Sequence, residues 1–299
     1  MAEVQGFCDP PSTLCVMLYD KDLPKAMKWA FLFVSTLMEK DVLDLRGGYA
    51  DASQTELKPW GKDTITGVWS TTKIVTSLAA LILVDRGLLD IDENVATYWP
   101  EFAANVSQIL SHSSGVMTLE RKLTPKGMEE REASVLKLAE ELQSLDRTAA
   151  RLADQPPRYI LGVPERTHGF HLWTSGRRAC VTYYSKIVES GLTSSLVCLR
   201  QEWARTADII PFPLNKMVPL TAVDPTSILG RVLQGSLVYP IIPNKPVFRK
   251  SENGAMGGFS NARALARIGS LVSLDGTVDG KQYLPLNPRR INDRANERF

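Results

Sequence analysis

The sequence predicts an α/β (α+β) fold in which a small antiparallel sheet packs on helices and a mostly helical insertion interrupts the sheet domain. Three observations support this class. Residues 31–45 have the pattern of a β-hairpin, residues 72–86 read as a strongly apolar helix, and residues 262–274 read as an amphipathic helix. The helical and loop-rich stretch between the two helices is predicted to form the insertion.

The hairpin is predicted from composition and alternation. Residues 31–37 are rich in β-formers, and Glu39-Lys40-Asp41 is typical of a turn. Residues 42–45 then alternate between apolar and polar, and Gly47-Gly48 is predicted to end this second strand.

The helices are predicted from their apolar periodicity. Residues 72–86 are apolar around much of the circumference, which indicates a buried central helix with Gly87 at its C-terminal cap. Residues 128–152 carry an apolar stripe opposite charged residues and stop before Pro156-Pro157. The late helix, 262–274, is expected to bury one face, made of Leu265, Ile268, Leu271 and Val272.

Composition and charge exclude several function classes. Apolar residues make up 44% and charged residues 23% of the 299 residues, so the chain can bury a sizeable core. Because 35 Lys+Arg face 33 Asp+Glu, the net charge of +2 argues against a nucleic-acid partner bound through phosphate neutralisation.

The cysteines and the apolar runs predict a reduced, cytoplasmic protein that does not enter a membrane. The four cysteines lack CxxC spacing, which argues against a zinc ribbon or a disulfide framework; they are Cys8, Cys15, Cys180 and Cys198. The N-terminus lacks the basic and apolar regions of a signal peptide. The longest apolar stretch, 27–38, is too short to cross a bilayer.

Ser70 and Lys73 form an S-x-x-K pair at the start of the first helix. Residues three apart on a helix point to the same side, so the lysine amine can lie beside the serine hydroxyl. A serine needs a nearby base to become a nucleophile, and burial can lower the pKa of a lysine far enough to supply one. The alternative is that Ser70 is only the N-cap of the helix and Lys73 a solvated first-turn residue.

Further motifs surround this pair and follow it along the chain. They are Pro59-Trp60-Gly61-Lys62-Asp63-Thr64, Leu83-Val84-Asp85-Arg86-Gly87-Leu88-Leu89-Asp90, Tyr98-Trp99-Pro100-Glu101-Phe102, Leu110-Ser111-His112-Ser113-Ser114-Gly115, Gln155-Pro156-Pro157, His168-Gly169-Phe170-His171 and the run from Glu252 to Arg263. Together with Trp69-Ser70-Thr71-Thr72-Lys73, this collinear set resembles the serine β-lactamase-like family, in its class C β-lactamase and family VIII carboxylesterase branch.

The resemblance implies a β-lactamase/transpeptidase-like fold and acyl-enzyme chemistry without a cofactor. Ser70 would attack the carbonyl of a small-molecule acyl substrate, and Lys73 would help to remove its proton. The implied division is an N-terminal part of the α/β domain with the hairpin (1–66), a helical, loop-rich domain that carries S-x-x-K (67–249), and an incomplete return to the α/β domain (250–299).

Two departures from the family pattern bear on activity. The second motif of this branch has a tyrosine where this chain has Phe170, which cannot relay a proton. Tyr184 is a possible substitute, since Tyr184-Ser185-Lys186 imitates another form of that motif. The resembling proteins also continue well past the late helix, so the resemblance implies that a third motif and the C-terminal strands are missing here.

The remaining candidates are weaker. His168 and Asn253 are candidates for substrate binding at the mouth of the site. His168 and His171 form H-x-x-H without a third ligand at suitable spacing, so no metal is predicted. The functional readings that stay open are a serine hydrolase acting on an ester, lactone or amide, an acyltransferase or transesterase of specialised metabolism, and a catalytically impaired relative.

Overall fold

The computed structural model describes residues 5–9, 30–37, 40–50, 58–98, 136, 200–210, 224, 241–250, 254–278 and 280–282. The strands are β1 (Gln5–Cys8), β2 (Ala30–Leu37), β3 (Lys40–Gly48), β4 (Thr66–Gly67), β5 (Phe259–Ser260), β6 (Thr277–Val278) and β7 (Lys281–Gln282). The α-helices are α1 (Thr72–Asp85), α2 (Pro246–Arg249) and α3 (Ala262–Ser273). This mixture of helices and small antiparallel sheets confirms the predicted fold class.

β3 is the central strand of an antiparallel sheet with the order β1–β3–β2. β2 and β3 pair as the predicted hairpin, but β3 is longer than predicted at both ends. Gly47 and Gly48 pair with Phe31 and Ala30, so the two glycines extend the strand and the prediction that they end it is wrong. The physical reason is that β2 supplies ladder partners for their backbone groups.

α1 is the buried central helix that the apolar pattern predicts. It runs over Thr72–Asp85 with Arg86 as C-cap. Gly87 follows with φ +70°, and its N–H donates to the Val84 carbonyl at 3.0 Å. Glycine suits this left-handed position because it carries no Cβ. Buried apolar side chains lie on several sides of the helix: Val75, Leu78, Ala79, Ala80, Ile82 and Leu83.

α3 begins one residue after its cap, Asn261, whose side chain accepts a hydrogen bond from the Ala264 N–H at 3.0 Å. The helix lies against β2 and buries Ile268 and Leu271 as predicted. Val272 is 54% exposed, so its assignment to the buried face is wrong. Each residue turns the helix by about 100°, which rotates position 272 away from a face centred on 264, 268 and 271.

An ion pair fixes the start of α3 to the central strand. Arg263 donates to Asp44 Oδ2 through Nε at 2.7 Å and Nη2 at 2.5 Å. The same guanidinium donates from Nη1 to the Lys62 carbonyl at 2.7 Å. Asp44 lies in β3 and is buried, so Arg263 links the sheet, the start of α3 and the connection to β4.

Several predictions lie outside the described residues. The helix predicted at 128–152 is described only at residue 136, which is helical. The boundaries of the three parts, 1–66, 67–249 and 250–299, stay a prediction. β4 pairs with β5, and Ile65 forms a bridge with Thr206, so described segments on both sides of these boundaries are hydrogen-bonded to each other.

The described residues also bear on the redox and membrane predictions. Cys8 is disulfide-bonded, so the prediction of a wholly reduced chain is wrong at this residue. The spacing of the cysteines along the sequence did not predict this disulfide, because pairing depends on which thiols the fold brings together. Among the described helices, none has the length and apolar character that spanning a bilayer requires. A cytoplasmic location stays a prediction.

Candidate active site

A tight turn places Ser70 just ahead of α1. Residues Trp69–Thr71 form a single 3₁₀ turn, and Trp69 has a left-handed φ of +49°. Such a conformation costs about 1–3 kcal/mol in a residue with a side chain and persists only where its surroundings hold it. Here the preceding residue, Val68, donates its N–H to the Gly258 carbonyl at 2.9 Å, and the Trp69 ring lies 6.2 Å from that of Phe248.

Ser70 does not cap α1. The N-cap of the helix is Thr71, and no side chain makes a capping hydrogen bond there. The alternative that Ser70 serves only as a helix cap is therefore wrong. Ser70 is an exposed residue.

Lys73 lies one turn after Ser70 and reaches back to it. The Lys73 Nζ donates to Ser70 Oγ at 3.1 Å, as the S-x-x-K spacing predicts. Burial of the amine lowers the pKa of Lys73 below its usual value, because desolvation disfavours the charged form. A lysine in this state can take the serine proton at a distance suited to proton transfer.

The 254–258 loop is hydrogen-bonded to the first turns of α1. The Ala255 carbonyl accepts a hydrogen bond from Lys73 Nζ at 2.8 Å. One helical turn further on, Thr76 Oγ1 donates to the Gly254 carbonyl at 2.7 Å. Lys73 Nζ is therefore hydrogen-bonded both to Ser70 and to the backbone of this loop. The sequence did not predict this contact, because every residue has a backbone carbonyl and the residue type does not determine what that carbonyl binds.

The segments beneath the turn are packed closely. Gly67 precedes the turn in β4, and a Cβ added there would lie 2.9 Å from Pro243 Cβ. The 3₁₀ segment Ile242–Asn244 leads into α2. Phe248 lies in α2, and its ring is 6.2 Å from the ring of Trp69. These contacts explain why glycine occupies position 67, since a side chain would push the turn away from its support.

The structure does not describe the other predicted site residues. Phe170, Tyr184, His168 and Asn253 lie outside the described residues, and their roles stay predictions. The described part of the chain brings together Ser70 and Lys73 and adds the loop carbonyl of Ala255. Over those same residues, no three His, Cys, Asp or Glu side chains are grouped as metal ligands would be.

Ser70, just ahead of a buried helix, and Lys73 with its lowered pKa form an arrangement suited to serine acyl chemistry. The Beta-lactamase family profile matches residues 36–296, and the chain belongs to this family. The β-lactamase/transpeptidase-like fold expected from the sequence is thereby confirmed.

Three relatives illustrate the similarity. Esterase/beta-lactamase LipL of Mycobacterium tuberculosis is 26% identical over 301 positions, which cover 94% of this chain and 67% of LipL. Acyltransferase calJ of Penicillium decumbens is 37% identical over 91 positions, which cover 30% of this chain and 21% of calJ. The crystal structure of a family VIII carboxylesterase superposes with a TM-score of 0.73 at 24% identity, over 94% of this chain and 74% of that one.

Proposed function

We propose that this chain is a serine hydrolase that cleaves a small ester, lactone or amide through an acyl-enzyme, with Ser70 as nucleophile and Lys73 as its base. The observation that carries the proposal is the 3.1 Å contact between Lys73 Nζ and the Oγ of Ser70, an exposed residue. Burial lowers the pKa of Lys73, so a larger share of the amine is neutral and able to accept a proton.

In the proposed reaction, the neutral Lys73 amine takes the Ser70 proton while Ser70 Oγ bonds to the substrate carbonyl carbon. The carbonyl electrons move to its oxygen, which the Ser70 backbone N–H at the helix start would stabilise. As this intermediate collapses, the bond to the alkoxide or amine breaks and the leaving group takes the proton from Lys73. Water then adds to the acyl carbon while the neutral Lys73 amine takes its proton. The bond between the acyl carbon and Ser70 Oγ breaks, Lys73 passes the proton to Ser70 Oγ, and the acid leaves.

The names of relatives support the substrate class. LipL is named an esterase/β-lactamase, and its aligned region spans nearly the whole of this chain. The chain spans 67% of LipL, so the activity of the whole relative is carried over here only as a proposal. The small-molecule acyl substrate follows from the same argument.

Acyl transfer to an alcohol is the second candidate function. It is favoured by the 91 positions that are 37% identical to acyltransferase calJ. An exposed Ser70 would leave an acyl-enzyme open to an alcohol as well as to water. An assay with p-nitrophenyl butyrate and an added primary alcohol separates the two functions. It measures the ratio of the ester formed by acyl transfer to the acid formed by hydrolysis.

Labelling with a fluorophosphonate tests the nucleophile directly. The purified full chain should react, peptide mapping should place the adduct on Ser70, and Ser70→Ala should abolish both labelling and ester cleavage. Ser77→Ala is the matched control, because Ser77 lies two turns further along α1 and is followed three residues later by alanine instead of lysine. A folded wild-type chain that neither reacts nor cleaves esters would refute the proposal and identify a catalytically impaired relative.

A further inference from the structure

One buried hydroxyl joins the two segments that make up the candidate site. Thr72 Oγ1 donates to the carbonyl of Trp69, the residue just before Ser70, at 2.5 Å. The same oxygen accepts a hydrogen bond from the Gly258 N–H at 2.9 Å. Thr72 is only 1% exposed, so its side chain is sealed between the turn and the 254–258 loop.

The two bonds of this hydroxyl act on the two members of the proposed catalytic pair. The bond to Trp69 holds the left-handed turn that presents Ser70. The bond from Gly258 holds the end of the loop whose Ala255 carbonyl receives Lys73 Nζ.

The fit between Thr72 and the loop is also steric. A Cβ added at Gly258 would lie 2.7 Å from Thr72 Oγ1 and 3.2 Å from Thr72 Cγ2. Glycine at position 258 therefore lets the loop backbone approach close enough for its N–H to reach the hydroxyl. The hydrogen bond from the Gly258 N–H to Thr72 Oγ1 joins the loop to α1, and the lack of a side chain at Gly258 leaves room for it.

We propose that Thr72 is a positioning residue for the Ser70–Lys73 pair: its hydroxyl fixes the turn that bears the nucleophile to the loop that holds the amine. This inference rests on the proposed function, since it assigns how the pair is held. Thr72 is buried and its hydroxyl bonds to Trp69 and Gly258, so it acts through these neighbours. A displacement of about 1 Å between reacting groups can lower a rate by about 10²-fold.

The test compares Thr72→Val, which keeps the shape but removes the hydroxyl, with Thr72→Ser, which keeps the hydroxyl. The readouts are the rate constant for fluorophosphonate labelling of Ser70 and kcat and KM for p-nitrophenyl butyrate, measured well below the melting temperature. Thr72→Val should lower the labelling rate and kcat by about 10- to 100-fold with KM changed less than about threefold. Thr72→Ser should stay within about threefold of wild type, because it keeps both hydrogen bonds.

Thr64→Val is the matched control. Thr64 is also buried, and its hydroxyl accepts the Gly61 N–H at 2.9 Å, but this bond does not involve the 254–258 loop. The control should lower the melting temperature and leave the labelling rate of the folded protein unchanged. Equal labelling rates in Thr72→Val and wild type would overturn the inference, as would an equal loss in Thr64→Val.

A further variant decides the matter if Thr72→Val does not fold. Gly258→Ala places a methyl group against Thr72 Oγ1 and displaces the amide from it, so it should give the same loss of labelling rate with KM retained. Wild-type labelling by a folded Gly258→Ala would overturn the inference. Failure of the proposed function looks different, because wild-type protein would then show no labelling at Ser70 at all.

Discussion

Replacing Arg263 by methionine should destabilise the protein by an amount that the structure allows to be worked out. Arg263 donates two hydrogen bonds to one oxygen of Asp44, whose side chain is 9% exposed, while the Arg263 side chain is 17% exposed. Methionine keeps an apolar stem against the sheet but removes the guanidinium. The perturbation therefore leaves a buried carboxylate without its main counter-ion.

Removing one partner of a buried ion pair costs about 3–5 kcal/mol, because the remaining charge stays desolvated. Arg46 Nη1 lies 4.0 Å from the other oxygen of Asp44 and offsets part of this loss, so we expect about 3 kcal/mol. With roughly 2.1 cal/mol/K of unfolding entropy per residue and 299 residues, this corresponds to a fall of about 5 °C in Tm.

Urea denaturation and thermal melting followed by circular dichroism measure this change. The matched control is Lys40→Met, which breaks an ion pair with Asp9 whose side chains are 72% and 65% exposed. That variant should lose at most about 1 kcal/mol, because water screens an exposed pair. Asp44→Asn combined with Arg263→Met should be less destabilised than the sum of the two single variants. A loss below about 1 kcal/mol for Arg263→Met would refute the reasoning.

Two further predictions concern catalysis. Because neutral Lys73 is the proposed base and burial lowers its pKa, ester cleavage should fall as the pH drops through that lowered pKa, and this acid limb should lie below the usual pKa of a lysine. Lys73→Arg stays protonated and should lower the labelling rate about 10²–10⁴-fold above the pKa of Lys73, with a smaller loss below it, where the wild-type amine is protonated too. A pH profile shared by wild type and variant would contradict the assignment. If Phe170 stands at the position of the family tyrosine, Phe170→Tyr should raise kcat at least about tenfold, with Phe33→Tyr as the control. An unchanged kcat in Phe170→Tyr would argue against that placement.

The elements set by local sequence were predictable. α1 and its glycine cap follow from apolar periodicity and from a residue that tolerates left-handed backbone, and both are found where predicted. The S-x-x-K pair is likewise a local feature, because helix geometry alone brings residues three apart together. Local spacing therefore predicted the part of the candidate site that lies on one helix.

What depends on distant partners was not predictable. Gly47 and Gly48 look like a strand end in isolation, and only pairing with β2 makes them strand residues. The contacts of Lys73 with Ala255 and of Thr72 with Gly258 join segments more than 180 residues apart, and a backbone amide or carbonyl carries no mark in the sequence. The roles of Phe170 and Tyr184 rest on the family resemblance and stay predictions.

The distance along the chain between Lys73 and Ala255 has a consequence for biosynthesis. α1 can form soon after it leaves the ribosome, since its hydrogen bonds are local. The contact that holds the amine closes a loop of 182 residues, and such long-range contacts form late because their closure entropy must first be overcome. A nascent chain thus carries Ser70 and Lys73 without the Ala255 contact until the 254–258 loop has been synthesised, and the proposed acyl chemistry should arise only after that loop has docked.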